Sequence, residues 1–333
     1  MRSAAIQFPA TPFDRERNLA TAARLARAAV DQGAQLVVLP ELFNTGLVYS
    51  PRLKQAAEGE DGPTLAWLGA QSRALGAHLG GSLLLRRGRQ VRNFFVLAAP
   101  NGARHLYAKR YPCLWERCSF EPGQQPVIAE TALGRLGLLV GWDAVQPAGW
   151  AGYAGQVDAV LIAAAPARLH RAVLNFPGAQ KVYLAQLLPA LLRARDDLDG
   201  LFSAHTGACA AALGVPVVQA VMSGRFVTQL PLARVSLLAA AWRQPRYWPL
   251  ARQAHLASLR ATFYGGSVIY GPDGAALAQT GGDEGLAVAD LPPRAGARPA
   301  QPVPQPGPLA EVRVLERLLR PLAASIYRQN RVA

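Results

Sequence analysis

Gln35-Leu36-Val37-Val38-Leu39-Pro40-Glu41 decides the fold class. A continuous apolar run that stops at Pro40 is the mark of a strand buried on both faces. Such strands belong to sheets covered by helices. The flanking sequence supplies them. Upstream, Ala4 to Phe8 reads as a strand, and Asp14 to Gln32 has helical spacing, with Gly33 placed to end the helix. Downstream, Thr64 to Leu75 is helical. Leu79 to Leu85 and Val91 to Ala98 form a hairpin through Arg86-Arg87-Gly88-Arg89. Further strands are expected at Leu136 to Val140, Val157 to Ala163, Val215 to Val221 and Ser267 to Tyr270. Strands alternating with helices give a layered α/β fold.

Two segments depart from this rhythm. Arg168 to Asp199, rich in Leu and Ala, predicts a long helix. Arg225 to Thr262 carries Trp242, Tyr247 and Trp248 among Arg243, Arg246, Arg252 and Arg260, a composition that fits a helix lying on a membrane surface. Its prolines Pro231, Pro245 and Pro249 favour instead a pocket lid or a contact between subunits. A Pro-rich stretch, 292–308, leads into a Leu-bearing helical pattern from Leu309 to Tyr327, which must bury its apolar stripe.

The composition narrows function. With 333 residues, 51% of them hydrophobic, the chain can build a large core, and disorder is excluded. Three cysteines (Cys113, Cys118, Cys209) cannot staple such a chain, and free thiols suit a reducing, cytoplasmic setting. Met1 to Phe8 is too short and polar for a signal segment, and no run approaches the ~20 apolar residues of a membrane span, so a soluble protein is expected. The net charge is +14, and there is no Asp or Glu between Gly200 and Pro272. Arg-rich codon usage explains much of this. An anionic membrane surface or nucleic acid is the alternative partner, of which only the membrane is retained as an expectation. There is no G-x-x-x-x-G-K-S/T, no G-x-G-x-x-G after a strand, no G-x-S-x-G, no C-x-x-C and no metal-ligand spacing among the five His. No cofactor and no metal are expected.

Three positions at strand ends carry the chemistry. Glu41 follows the decisive run directly, where α/β folds place working groups, although a loop carboxylate would look the same. Lys109 is one of three Lys in a chain with 35 Lys and Arg, which points to a need for a compact charge. The third position is Gly141-Trp142-Asp143, at the end of Leu138-Leu139-Val140.

In order along the chain, five blocks resemble the nitrilase superfamily of carbon–nitrogen hydrolases. They are Leu39-Pro40-Glu41-Leu42-Phe43-Asn44-Thr45-Gly46; Tyr107-Ala108-Lys109-Arg110; Glu116-Arg117-Cys118-Ser119-Phe120-Glu121-Pro122-Gly123; Gly137-Leu138-Leu139-Val140-Gly141-Trp142-Asp143; and Phe263 to Ile269 with Gly271-Pro272-Asp273-Gly274. The resemblance implies a four-layer αββα sandwich over residues 1–295, with insertions near 168–199 and 225–262, and a connector and C-terminal helical arm over 296–333. It also implies a homodimer or larger homo-oligomer. For the site it implies Glu41 as general base, Lys109 as the group that holds the oxyanion, Glu116 as a supporting carboxylate, and Trp142 and Cys118 as pocket residues. The ligand class is a small amide, nitrile or carboxylate.

One departure governs function: the resembled family's nucleophilic Cys aligns with Gly141. A second is Ala148, where Phe-Pro-Glu is usual and Gln146-Pro147-Ala148 stands. Without a side chain at 141 no acyl-enzyme can form there, and losing a nucleophile from a cooperating set removes about 10⁶ of rate. The expectation is an inactive or strongly impaired amidase that keeps a polar pocket. The alternatives are a Glu41-activated water in the vacated space, a substituted nucleophile at Cys113 or Cys118, or a surface-binding module using 200–272.

Overall fold

The computed structural model describes residues 1–188, 195–293, 303–304 and 310–329. Its strands are β1 (Arg2–Gln7), β2 (Leu36–Val38), β3 (His78–Arg87), β4 (Gln90–Ala98), β5 (Arg104–Ala108), β6 (Ile128–Thr131), β7 (Gly134–Val140), β8 (Ala159–Ala164), β9 (Val173–Asn175), β10 (Lys181–Tyr183), β11 (Val217–Val221), β12 (Arg225–Gln229), β13 (Ser258–Thr262), β14 (Val268–Tyr270), β15 (Ala276–Gln279) and β16 (Gly285–Asp290). One six-stranded sheet runs β16-β1-β2-β3-β4-β5 and a second runs β15-β14-β11-β8-β7-β6. In each, three adjacent strands are parallel: β1, β2 and β3 in the first, β7, β8 and β11 in the second.

Strand alternation builds the layers. Leu36 and Val38 of β2 join Leu138, Val140, Leu161 and Val218 of the second sheet in one core. Val37 and Leu39 point the other way, to Ala22, Leu25 and Ala29 of the helix Arg15–Asp31 and to Leu68 of the helix Pro63–Leu75. A two-residue period places one set against the facing sheet and the next against helices, so β2 must be apolar throughout. On the far side of the second sheet the helix Ala204–Leu213 lies along β11. The four layers are therefore helix, sheet, sheet, helix.

The inserted segments form a different structure from the one expected. Arg168 to Asp199 is not one helix. It holds β9, β10, a turn at Pro177–Ala179 with Gly178 at φ +72°, and the short helices Leu184–Leu187 and Arg195–Gly200. Pro177 and the left-handed Gly178 break the helical path, and Val173 and Val182 suit the strands that replace it. Arg225 to Thr262 begins and ends as strand, β12 and β13, with the helix Ala233–Ala240 between them. The two segments meet in a third sheet, β10-β9-β13-β12.

The expected C-terminal helix is present at Ala310–Gln329, although Pro321 lies inside it. Leu319, Ala323 and Tyr327 of its stripe are buried against this chain, where the helix meets the turn Leu114–Cys118 and the helix Ala233–Ala240, while Leu318 and Leu322 stay exposed. Lys54 Nζ secures the contact. It donates to the Tyr327 carbonyl at 2.5 Å and lies 3.6 Å from that ring's centre. The boundary expected at 295/296 and most of the Pro-rich connector lie outside the described residues. Among the described residues no helix is long and apolar enough to cross a membrane.

Candidate active site

Three strand ends deliver the site. β2 runs through Leu39 and Pro40 to Glu41, β5 hands on to Lys109, and β7 stops at Val140 before the tight turn Gly141–Val145. A short turn, Leu114–Cys118, brings Glu116 back over Lys109. Glu41 and Lys109 are each 1% exposed and Glu116 is 5% exposed. Lys109 Nζ donates to Glu41 Oε1 at 2.8 Å and to Glu116 Oε1 at 2.7 Å. The sequence therefore placed Glu41, Lys109, Glu116 and Gly141 together, and the structure brings them together.

Each charged group is further held. Glu41 Oε1 also accepts from Asn93 Nδ2 at 2.8 Å, and Oε2 accepts from the Ala165 backbone N–H at 3.1 Å. Glu116 Oε2 accepts from the Cys113 N–H at 2.7 Å. Asp143 receives the Tyr107 hydroxyl and the N–H groups of Arg110 and Tyr111, which ties the turn at Gly141 to the loop after Lys109. Asn93, Tyr107 and the Ala165 N–H were missed as site residues. Asn93 was detectable as a lone amide inside the apolar strand Val91 to Ala98; a backbone N–H leaves no mark in sequence.

Burial sets the electrostatics. Glu41 is pushed up to about 7 by desolvation, against the pull of Lys109 and with the push of Glu116. Burial alone would lower Lys109, but the two carboxylates together raise it, so it stays an ammonium. Asp143 is raised to about 6 by burial, despite Lys109 and its hydrogen bonds. One ammonium between two carboxylates leaves this buried cluster with an excess of negative charge when Glu41 is ionised.

The space at the Gly141 Cα is closely bounded. Gly141 has φ +50°, a left-handed conformation that glycine adopts freely. A Cβ built there would collide with Glu41 Oε2 and lie 2.9 Å from Lys109 Nζ. The Glu41 carboxylate takes the position of that Cβ, and the cavity at the site opens beside Gly141, Glu41 and Lys109. Trp142 does not fill it; that indole leans instead toward Phe202, with ring centres 6.5 Å apart.

Burial raises Cys113 well above its ordinary range and Cys118 to about 11. Cys113 borders the cavity at the site. Cys118 does not, because it closes the far end of the turn that presents Glu116. The expectation of Cys118 as a pocket residue is corrected accordingly. The cavity has a volume of about 110 Å³ and touches Glu41, Lys109, Glu116, Gly141 and Trp142. Beyond them it is walled mainly by aliphatic side chains of the two inserted segments. Among the described residues no group of three or more His, Cys, Asp or Glu is arranged to hold a metal ion.

Comparison with known proteins follows the same outline. The family model for carbon-nitrogen hydrolases matches residues 2–188. The chain is 28% identical over 147 residues to a nitrilase of Pyrococcus abyssi (strain GE5 / Orsay), covering 43% of this chain and 56% of that protein. It is 29% identical over 143 residues to the omega-amidase YafV of Escherichia coli (strain B / BL21-DE3), covering 41% and 54%. The chain thus spans about half the length of the curated relatives it matches. Among solved structures, an amidase from Nesterenkonia sp. AN1 aligns with a TM-score of 0.60 and 26% identity over 88% of this chain and 93% of that one. That structure is of a Glu-to-Gln mutant of the amidase, with acrylamide added at the active-site cysteine.

Proposed function

The chain belongs to the carbon–nitrogen hydrolase family, and from that premise we propose that it is an amidase-like member that binds its ligand without covalent turnover. Gly141 stands where the family's nucleophilic cysteine would be, and Glu41, Lys109 and Glu116 remain as a binding constellation. The observation that carries this reading is Gly141 itself: the ends of the Glu41 and Lys109 side chains lie against a position that has no side chain. The covalent route needs a thiolate between base and ammonium. Here base and ammonium pair directly. The raised thiols of Cys113 and Cys118 argue against a relocated nucleophile.

The test measures ammonia release from small amides and nitriles at stoichiometric protein, beside calorimetric binding of the same compounds. Binding without release above the uncatalysed rate is expected. Repeated turnover would overturn the reading.

A second reading has its own observation. Trp242 is 62% exposed, Trp248 48% and Leu256 59%, and the guanidinium of Arg243 lies 5.4 Å from the Trp242 ring centre. Apolar anchors beside an arginine suit an anionic membrane surface. Flotation with anionic vesicles at low salt tests it, and an unbound protein would remove it. Self-association is proposed from exposed Leu318 and Leu322, and substituting both by Asp should lower the native mass if they form a contact between copies.

A further inference from the structure

The helix Ala233–Ala240 has two apolar faces. Ser236, Leu237 and Ala240 are buried and line the cavity. Ser236 Oγ fastens that face to the body of the protein: it accepts from Trp115 Nε1 at 2.9 Å and donates to the Pro231 carbonyl at 2.6 Å. Val235 and Leu238, three residues apart, stand on the other face, 42% and 39% exposed. Trp242, exposed too, follows one helical turn after Leu238. Trp248 joins this end of the helix, because its Nε1 donates to the Ala241 carbonyl at 3.0 Å. That bond spends the indole's one polar atom inside the protein, so what it exposes is hydrocarbon. Leu256 lies in the turn Ala254–Leu256, which packs against the same helix. Of the ten large hydrophobic side chains exposed among the described residues, these five fall within 235–256. Exposed apolar residues scattered singly need no explanation; gathered around one helix they mark an interaction surface.

The charge around this ridge is positive. Arg234, Arg243, Arg246 and Arg252 are all exposed, on the helix and the turns after it. No Asp or Glu occurs between Gly200 and Pro272. The helix Ala310–Gln329, packed alongside, brings exposed Arg317 and Arg320 beside Glu316. The partner must therefore offer both hydrocarbon and negative charge. A second copy seated on the same face would bring the arginines of both copies together, since a two-fold contact pairs a patch with itself. Nucleic acid would satisfy the arginines and stack on the indoles but leave Val235 and Leu238 in water. An anionic bilayer meets both demands: its acyl boundary receives the apolar ridge and its headgroups receive the guanidinium groups.

We propose that Val235, Leu238 and Trp242, with Trp248 and Leu256, insert into an anionic membrane surface, so that the helix Ala233–Ala240 lies on the bilayer with the cavity directly behind it. This rests on the reading of the Trp- and Arg-bearing segment as membrane-facing, and it adds which element inserts and which way the cavity wall faces.

The experiment is co-flotation of the full chain with phosphatidylcholine vesicles, with and without about one third phosphatidylglycerol. The wild-type chain should bind the anionic vesicles at least about tenfold more tightly than the neutral ones, and lose most of that binding as salt rises to about 0.5 M. Val235→Asp with Leu238→Asp should weaken anionic binding at least about tenfold, because two inserted side chains become two repelled charges. A second readout does not depend on how that variant folds. A polarity-sensitive dye on Leu238→Cys should shift to the blue when anionic vesicles are added, and the same dye on Leu277→Cys, an exposed position of β15, should not. The three native thiols are buried or half-buried and compete little for the dye. A wild-type chain that floats with neither vesicle overturns this proposal and the reading beneath it together. Anionic binding that survives both substitutions, or an unshifted dye at position 238, overturns only this one. Equal affinity for neutral vesicles overturns it, and so does a native mass lowered by Val235→Asp with Leu238→Asp in the absence of lipid, which puts a second copy on the ridge.

Discussion

Where the cavity meets Gly141, directional bonds fix its wall: Glu41 accepts from Lys109, Asn93 and the Ala165 N–H, and Glu116 accepts from Lys109 and the Cys113 N–H. Where it passes between Leu174 and Leu237 the wall is aliphatic, and packing alone shapes it. The polar end is stiff because moving one group strands another in a medium without water. The apolar end can relax, because a displaced leucine loses contacts but no partner. A charged cluster that depends on all its members thus stands beside a wall whose size is set residue by residue.

Substitutions at the two ends should differ in cost accordingly. Lys109→Met leaves two buried carboxylates facing each other and should destabilise by about 4 kcal/mol, as loss of one partner from a buried ion cluster does. Urea denaturation measures this; a loss below about 1 kcal/mol would mean the cluster is wetter than its burial implies. Gly141→Ala places a Cβ at left-handed φ against the Glu41 carboxylate and should cost about 3 kcal/mol. The double variant with Glu41→Ala should cost clearly less than the two single losses combined, because removing Glu41 opens the space. Strict additivity would show that Glu41 does not occupy it.

Leu237→Ala, at the apolar end, should cost about 2 kcal/mol, low for a buried leucine because the side chain already borders a void. Glu41→Gln should have the smallest effect near pH 5, within about 1 kcal/mol, and a larger, stabilising one as pH rises through the titration of Glu41. Burial raises Glu41 from 4.5 to about 7 in the folded chain. Between those values the folded state keeps a proton that the unfolded state gives up, so wild-type stability from this group falls as pH rises through the window. The cost is absent below the window and complete above it. Glutamine carries no such cost, so the variant should gain on wild type between pH 5 and pH 8 in paired melts. A constant difference across that range would place the Glu41 pKa near its ordinary value.

The directional end was also the more legible one. Buried strands that end in Glu41 and Gly141 declare themselves through continuous apolar runs, and Lys109 stands out because this chain otherwise uses arginine. Their convergence needs only the topology of two packed sheets. The partners that hold them were less visible. Asn93 is one amide in a strand, and the Ala165 N–H is backbone. The apolar wall was misread outright. Arg168 to Asp199 has the leucine and alanine content of a helix, and composition does not distinguish a helix core from short strands and turns lining a cavity. That Glu41 fills the place beside Gly141 could not be read either, since it depends on a side-chain position set by three hydrogen bonds.

The central claim is that this chain has no nucleophile at the site. Acrylamide tests it directly, because it adds at the active-site cysteine of a Glu-to-Gln mutant of the structurally similar amidase. Intact-mass spectrometry of the folded wild-type chain, after incubation with acrylamide at neutral pH, should show unmodified protein: Gly141 offers no thiol, and Cys113 and Cys118 are held protonated by burial. Rapid addition of one acrylamide per chain at Cys113 or Cys118, blocked by a bound amide, would contradict the account and identify a relocated nucleophile.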